Sequence, residues 1–311
     1  MATYLVTGGA GFIGSHIVQE LVRQGEIVRV FDNFSTGCRQ NLSGLLDALD
    51  LIEGDIRDLA LVQAAAQGVE YILHQAALPS VPRSIADPIT THQVNVTGTL
   101  NVLMAARQAN VRRVVYASSS SVYGNSPTLP KREEMPTNPL SPYAVSKLAG
   151  ENYCRAFYQV YGLPIVALRY FNVFGPHQDP ASQYAAVIPK FITAMLRGDR
   201  PLIHGDGLQS RDFTYVANVV QANLLACQAE AAVGQVCNAA LGGRVSLLEL
   251  VSRLNQILGK ELEPLFDDAR TGDVKHSQAD VSKLRALTGF VPVTDLQTGL
   301  AKTVEWYAQQ V

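Results

Sequence analysis

TYLVTGGAGFIG, residues 3–14, decides the fold of this chain. TYLVT reads as a short buried strand, and it runs without a linker into glycines Gly8, Gly11 and Gly14, spaced G-x-x-G-x-x-G. The first glycine permits a tight turn. The second lets a pyrophosphate approach the backbone, and the third lets the following helix pack on the strand. That helix, over 12–24, starts with Phe12 and Ile13 and offers uncapped N–H groups to an anion. Glycines at this spacing also occur in ordinary turns, so the context has to decide. The next apolar run, IVRVFD (27–32), ends on Asp32, 18 residues after Gly14. An acid there accepts the adenosine ribose hydroxyls and repels a 2′-phosphate; Asn33 follows it where an NADP enzyme would place an arginine. The pattern predicts NAD as cofactor. Asp55, after the third run, suits either the adenine amino group or a solvated turn.

The same alternation continues outward. LDLIEGD (49–55), EYILHQA (70–76), RRVVYAS (112–118) and PIVALRYFN (164–172) are continuous apolar runs, as strands covered on both faces require. Helical patterns over 58–67, 88–109 and 142–161 separate them, the last stopping at Gly162. Strand and helix in alternation predict an α/β fold: a doubly wound parallel sheet of Rossmann type over residues 1–172. After Asn172 the pattern changes to loops rich in Gly, Pro, Asp and Ser at 174–184 and 203–213. Helices follow at about 185–197, 216–230, 246–258 and 295–309, with short strands between them. Residues 173–311 are therefore expected to form mainly a smaller α/β substrate lobe, with elements free to cross back. The ligand site is expected in the cleft between lobes.

Hydrophobic content of 47% against 17% charged residues is that of an ordinary globular protein. A net charge of −2 gives no reason to expect nucleic acid or an anionic membrane as partner. Cys38, Cys154, Cys227 and Cys237 are scattered without C-x-x-C or disulfide-like spacing, and the six histidines lack metal-ligand spacing, so no metal is expected. The first residues carry glycines where a signal peptide needs an apolar run, and no apolar stretch is long enough to span a bilayer. The expectation is a reduced, cytoplasmic protein.

SPYAVSKLAG (141–150) carries the chemistry. Ser141 and Pro142 are a helix start, a side-chain cap followed by proline at the first helical position. Tyr143 and Lys147 then stack on one helix face, the only Tyr-x-x-x-Lys in the chain. A cation beside a phenol favours the phenolate, which makes a proton acceptor.

With DN at 32–33, GDIRD at 54–58, HQAA at 74–77, NVTGT at 95–99, SSSSVYG at 118–124, SPYAVSK at 141–147, RYFNVFGP at 169–176, SRDF at 210–213 and RTGD at 270–273, nearly the whole chain resembles an extended short-chain dehydrogenase/reductase. Within that superfamily it is similar to the UDP-hexose 4-epimerases. The resemblance implies that Tyr143 is the base, that Lys147 tunes it and holds the nicotinamide ribose, and that Ser119 bonds the sugar O4 and Tyr143. Ser118 and Ser120 stay in contention for that serine role. It adds Ile56, Gln75, Ala76, Ala77, Asn95 and Tyr170 to the cofactor site. To the UDP-sugar it assigns Ser120, Asn172, Ala186, Val187, the diphosphate clamps Arg211 and Arg270, and Asp273 for the uridine ribose. His204 falls beside the uracil and equally suits a solvated loop. Ser277, four residues after Asp273, borders the sugar C2 substituent, where a small residue leaves room for an N-acetyl group. The implied reaction is transient oxidation at C4, in a homodimer paired through helices 88–109 and 142–161.

Sugar-nucleotide dehydratases place an Asp-Glu pair after the catalytic threonine; here Ser119 is followed by Ser120 and Ser121, so dehydration is not expected. Asn172 matches the hexose epimerases, whereas UDP-glucuronate 4-epimerases tend to carry threonine. A UDP-glucuronate 4-epimerase is the second reading and a UDP-glucuronate decarboxylase the third. A non-catalytic NAD-binding regulator would have lost the tyrosine, lysine or serine, and all three are present.

Overall fold

The computed structural model describes residues 1–179, 186–268 and 275–310. Its first half runs through β1 (Thr3–Thr7), α1 (Phe12–Arg23), β2 (Ile27–Asp32), β3 (Leu49–Glu53), α2 (Leu59–Ala66) and β4 (Tyr71–His74). There follow α3 (Val81–Ala86), α4 (Pro88–His92), α5 (Thr99–Gln108), β5 (Arg113–Ser119), α6 (Pro142–Tyr161) and β6 (Ile165–Tyr170). Beyond it lie β7 (Val173–Phe174), α7 (Val187–Arg197), β8 (Leu202–His204), β9 (Ser210–Arg211), β10 (Thr214–Tyr215), α8 (Val216–Gln228) and β11 (Val236–Ala239). The chain closes with β12 (Val245–Ser246), α9 (Leu247–Leu258), β13 (Leu265–Asp267), α10 (Ser282–Thr288) and α11 (Leu296–Ala308).

Seven parallel strands form the main sheet in the order β11-β6-β5-β4-β1-β2-β3. The apolar runs are continuous because alternate side chains enter two different cores. Tyr4 and Val6 of β1 join Ile17, Val18 and Leu21 of α1 and Val219 and Ala222 of α8 on one face. Leu5, between them, joins Val62 of α2, Val102 and Leu103 of α5 and Phe157 of α6 on the other. A third apolar cluster gathers Ile188 and Phe191 of α7, Leu250 and Leu254 of α9 and Leu300 of α11 beyond the sheet edge. The chain crosses between these bodies, since α8 packs on α1 and β11 pairs with β6.

Register positions the site. Thr7 pairs with Phe31 of β2 and with His74 of β4, so Gly8, Asp32 and Gln75 arrive together at the carboxyl edge. The order of connections reverses between β1 and β4, and that crevice is where open α/β sheets bind ligands.

The helix expected over 88–109 is interrupted. Between α4 and α5, residues Gln93–Gly98 form a π-helical turn. At this turn Asn95 faces inward, and its side chain accepts from Leu78 N (2.7 Å) while donating to Leu78 O and Ser146 Oγ. Helices α3 and α10, which periodicity did not flag, are six and seven residues long, too short for a repeating apolar stripe.

Candidate active site

The glycine turn is dictated by close contacts. Gly8 has φ +70°, and a Cβ on it would lie 2.6 Å from Ala76 N; a Cβ on Gly14 would lie 2.1 Å from Gly8 O. Gly11, the N-cap of α1, provides no side-chain cap, so the first-turn N–H groups of the helix are left for an anion. Gly8, Gly11, Phe12, Ile13 and Gly14 form one end of a cavity of about 790 Å³, which continues past Asp32, Asn33, Ile56, Gln75, Ala76 and Ala77 to Tyr143, Lys147, Tyr170 and Ala186. Asp32 ends β2 almost fully buried; its carboxylate accepts from Ala10 N (2.9 Å) and Phe34 N (2.8 Å). Burial pushes its pKa up, and those two N–H groups work against the rise. Asn33 donates to Asp55 Oδ2, but Asp55 itself stands outside the cavity lining. Its carboxylate is gripped by Arg57 at 2.7 and 2.9 Å, which holds its pKa down to about 2. Asn95 likewise acts beneath the lining, through the Leu78 backbone. Tyr170 OH and Gln75 share the Asn223 side chain. An uncapped helix start, a glycine cradle and a ribose-accepting acid at the next strand end fit a dinucleotide.

Helix α6 begins as its sequence dictates. Ser141 Oγ caps Ala144 N at 3.2 Å, Pro142 follows, and Gly162 in the left-handed region ends the helix. Tyr143 and Lys147 therefore project side by side into the cavity. The Tyr143 phenol is pushed up by burial, while a hydrogen bond with Ser119 pulls the other way. Lys147 is buried with Nζ donating to Ala117 O at 2.9 Å, and burial lowers its pKa to about 8. The expected depression of the Tyr143 pKa by Lys147 is not built into the protein by itself: the ammonium is turned to the strand, and burial dominates the phenol.

The serine run is sorted by geometry. Ser119 faces the Tyr143 phenol, whose pKa it pulls down against burial, and accepts from Ser121 N at 3.2 Å. Ser118, although it lines the cavity, gives its hydroxyl to Glu151 Oε1. Ser120 starts a 3₁₀ turn over Ser120–Tyr123.

Apart from Ala186, the described sugar-side residues stand outside this lining. Asn172 has φ +33° and donates to Asp212 O at 3.2 Å. A β-branched threonine would be strained in that left-handed geometry, so the asparagine has a backbone reason to be there. Arg211 Nη1 donates to Ser210 O and Lys275 O, and Ser277 N donates to Ser210 O at 2.9 Å, which brings the proposed clamp and gate together. His204 sits at 3.5 Å from Asp267 and its carbonyl takes Gln209 Nε2. Val187 opens α7 with Ala186 as N-cap. Arg270 and Asp273 lie outside the described residues.

Motif reading missed Ser80, Arg83, Gln178 and Asp179, which also line the cavity. Arg83 is the telling omission. It faces the space shared with the glycine turn and has no side-chain ion pair among the described residues, as suits a phosphate. Its signal was VPRS, six residues after HQAA began to line the cofactor edge.

Comparison with known proteins settles the kinship. Residues 4–240 match the model of the NAD dependent epimerase/dehydratase family. The chain belongs to this family. A UDP-glucose 4-epimerase of Mycolicibacterium smegmatis is 40% identical over 307 residues, 97% of each chain. A solved UDP-N-acetylglucosamine 4-epimerase from Methanobrevibacter ruminantium, in complex with UDP-N-acetylmuramic acid, is 42% identical with a TM-score of 0.96 over 100% of this chain and 99% of its own. The UDP-glucose 4-epimerase of Thermus thermophilus in complex with NAD is 36% identical, with a TM-score of 0.90 over 99% of this chain and 100% of its own.

Proposed function

We propose that this protein is an isomerase, an NAD-dependent UDP-hexose 4-epimerase. The observation that carries the reading is the meeting of Tyr143 and Lys147 at one end of a cavity whose other end is the glycine turn, with Ser119 beside the phenol. When bound, NAD supplies the chemistry of hydride removal and return at the sugar C4. Tyr143 takes the O4 proton and gives it back, and Ser119 holds the hydroxyl and the phenol in line. Lys147 places a positive charge beside them. Burial holds the Tyr143 phenol up in the protein by itself, so the positive charge that lowers it would come with the bound cofactor.

The substrate range follows the small Ser277: UDP-Glc and UDP-Gal, and also UDP-GlcNAc and UDP-GalNAc. Arg211, Arg270, Asp273, His204, Ala186 and Val187 take the UDP part. The protein works as a cytoplasmic homodimer. Supporting the dimer, α6 exposes Val145 (53% exposed) and Val160 (69%), and α3 and α4, which pack against α6, expose Ile85 and Ile89. Among the described residues no helix is long and apolar enough to cross a membrane. Turnover of UDP-Gal, UDP-GalNAc and UDP-GalA by the NAD-loaded protein tests the reading; activity confined to UDP-GalA would replace it with the uronate epimerase.

A further inference from the structure

Beneath the catalytic face of α6 lies a buried ion pair that the reaction scheme does not use. Glu151 follows Lys147 by one helical turn, as Lys147 follows Tyr143. Arg169 of β6 donates to its carboxylate through Nε (2.9 Å) and Nη2 (2.7 Å), with both side chains about 5% exposed or less. The same carboxylate receives the Ser118 hydroxyl, so it ties down the residue immediately before Ser119 at the end of β5. The Arg169 guanidinium lies over the Tyr123 ring at 4.7 Å, just past the serine run. A buried pair of this kind is no strong contributor to stability compared with apolar packing, and its placement calls for another reason.

The groups around Lys147 supply that reason. On its own helix they are Tyr143, Glu151 and Cys154; from β4 comes His74, and from β5 the Tyr116 ring at 5.3 Å. His74 is buried between Thr7 and Thr99 and is pushed down to about 3, so it is neutral. Burial drives the Tyr116 phenol and the Cys154 thiol upward, so both are neutral as well. Among the described residues facing Lys147, Glu151 is thus the anion. Arg169 shares that charge with it and also faces Tyr123 and Glu133.

Resting on the epimerase reading, we propose that Glu151 is a positioning residue for the reaction: it anchors Ser118 so that Ser119 meets Tyr143, and its buried negative charge keeps Lys147 an ammonium. Two separable effects follow, one of reach and one of charge. In the NAD-loaded full-length protein, Glu151→Gln moves the alkaline limb of the kcat profile on UDP-galactose down by about one pH unit, because Lys147 loses its proton sooner. It also lowers kcat at neutral pH by about tenfold. Glu151→Asp leaves the limb in place but still lowers kcat, since the charge stays and the reach to Ser118 is lost. Ser118→Ala lowers kcat with KM and limb unchanged. A limb unmoved in Glu151→Gln, or moved as far in Glu151→Asp, overturns the proposal; so does wild-type kcat in Ser118→Ala, which decides the matter if Glu151→Gln does not fold. Lys147 titration by its ¹³Cε NMR shift needs no substrate. If no UDP-hexose is turned over, the epimerase reading falls, while an equal Lys147 pKa in wild type and folded Glu151→Gln would still overturn the charge effect.

Discussion

The two sides of the site, the cofactor cavity and the sugar-side segments outside its lining, are held by different means. At the cofactor end the backbone itself is the template. Gly8 and Gly14 meet at a distance that admits no Cβ, Asp32 is fixed by two backbone N–H groups, and Asn95 clasps both polar groups of Leu78. At the sugar end short strands from distant parts of the chain are laced together by side chains. The Asp212 carboxylate, fully buried, accepts from Leu241, Gly242 and Ala279, while β9 bonds the segment carrying Ser277. The first arrangement gives a holder with one permitted geometry. The second gives a set of short segments whose residues can change without dismantling the sheet.

Mutations should therefore divide by effect as well as by place. The largest change is expected where the two ends meet. Tyr143→Phe should leave the fold and NAD binding intact and lower kcat by at least about a hundredfold, the worth of a positioned general base. Steady-state turnover together with an NAD titration checks it; more than a tenth of wild-type kcat would remove Tyr143 from the role. At the cofactor end, Gly14→Ala should abolish retention of NAD and destabilise the protein by about 1–3 kcal/mol, because the added methyl meets the Gly8 carbonyl. Thermal unfolding with and without NAD measures both, and a variant that still holds NAD would break the comparison at its firmer end.

Ser277→Tyr should act at the other end alone. It is expected to cut turnover of UDP-GalNAc at least about tenfold while sparing UDP-Gal, since a clash rejects one substrate without helping the other. Equal loss on both would mean that the sugar end is as rigid as the cofactor end. The smallest effect concerns pH. Burial raises the Asp212 pKa to about 7, although its three N–H partners oppose the rise. The folded protein then takes up a proton as the pH falls through 7, while the unfolded chain does so only near the ordinary carboxylate value. Stability should accordingly rise as the pH falls from about 7 toward 4, and the cost of the buried charge is fully present above 7. Wild type minus Asp212→Asn, compared by Tm across that window, isolates the group; a pH-independent difference would remove it as the titrating site.

Much of the cofactor end was legible because its signals are local. A strand, a turn that only glycine permits and a helix start lie within twelve residues, and Asp32 follows at the next strand end. Ser141, Pro142 and Gly162 likewise bounded α6 to the residue. What escaped was whatever depends on a side chain choosing a distant partner. Asn95 reads as part of one long helix until Leu78 is seen beside it. Asp55, which in sequence suits either an adenine contact or a solvated turn, is gripped by Arg57. Arg83 lies in a helix too short to announce itself.

The sequence alone determined the doubly wound sheet, the dinucleotide turn and the pairing of Tyr143 with Lys147, because period, glycine geometry and helical spacing act over a few residues. Only the tertiary structure decided which serine Glu151 takes, where Lys147 points and what holds Glu151. Those outcomes depend on burial and on hydrogen bonds between β5, α6 and β6. Ser118 goes to Glu151 and Ser119 to Tyr143 because successive residues near a strand end face opposite sides, and no property of the four adjacent serines distinguishes them before the strands are paired.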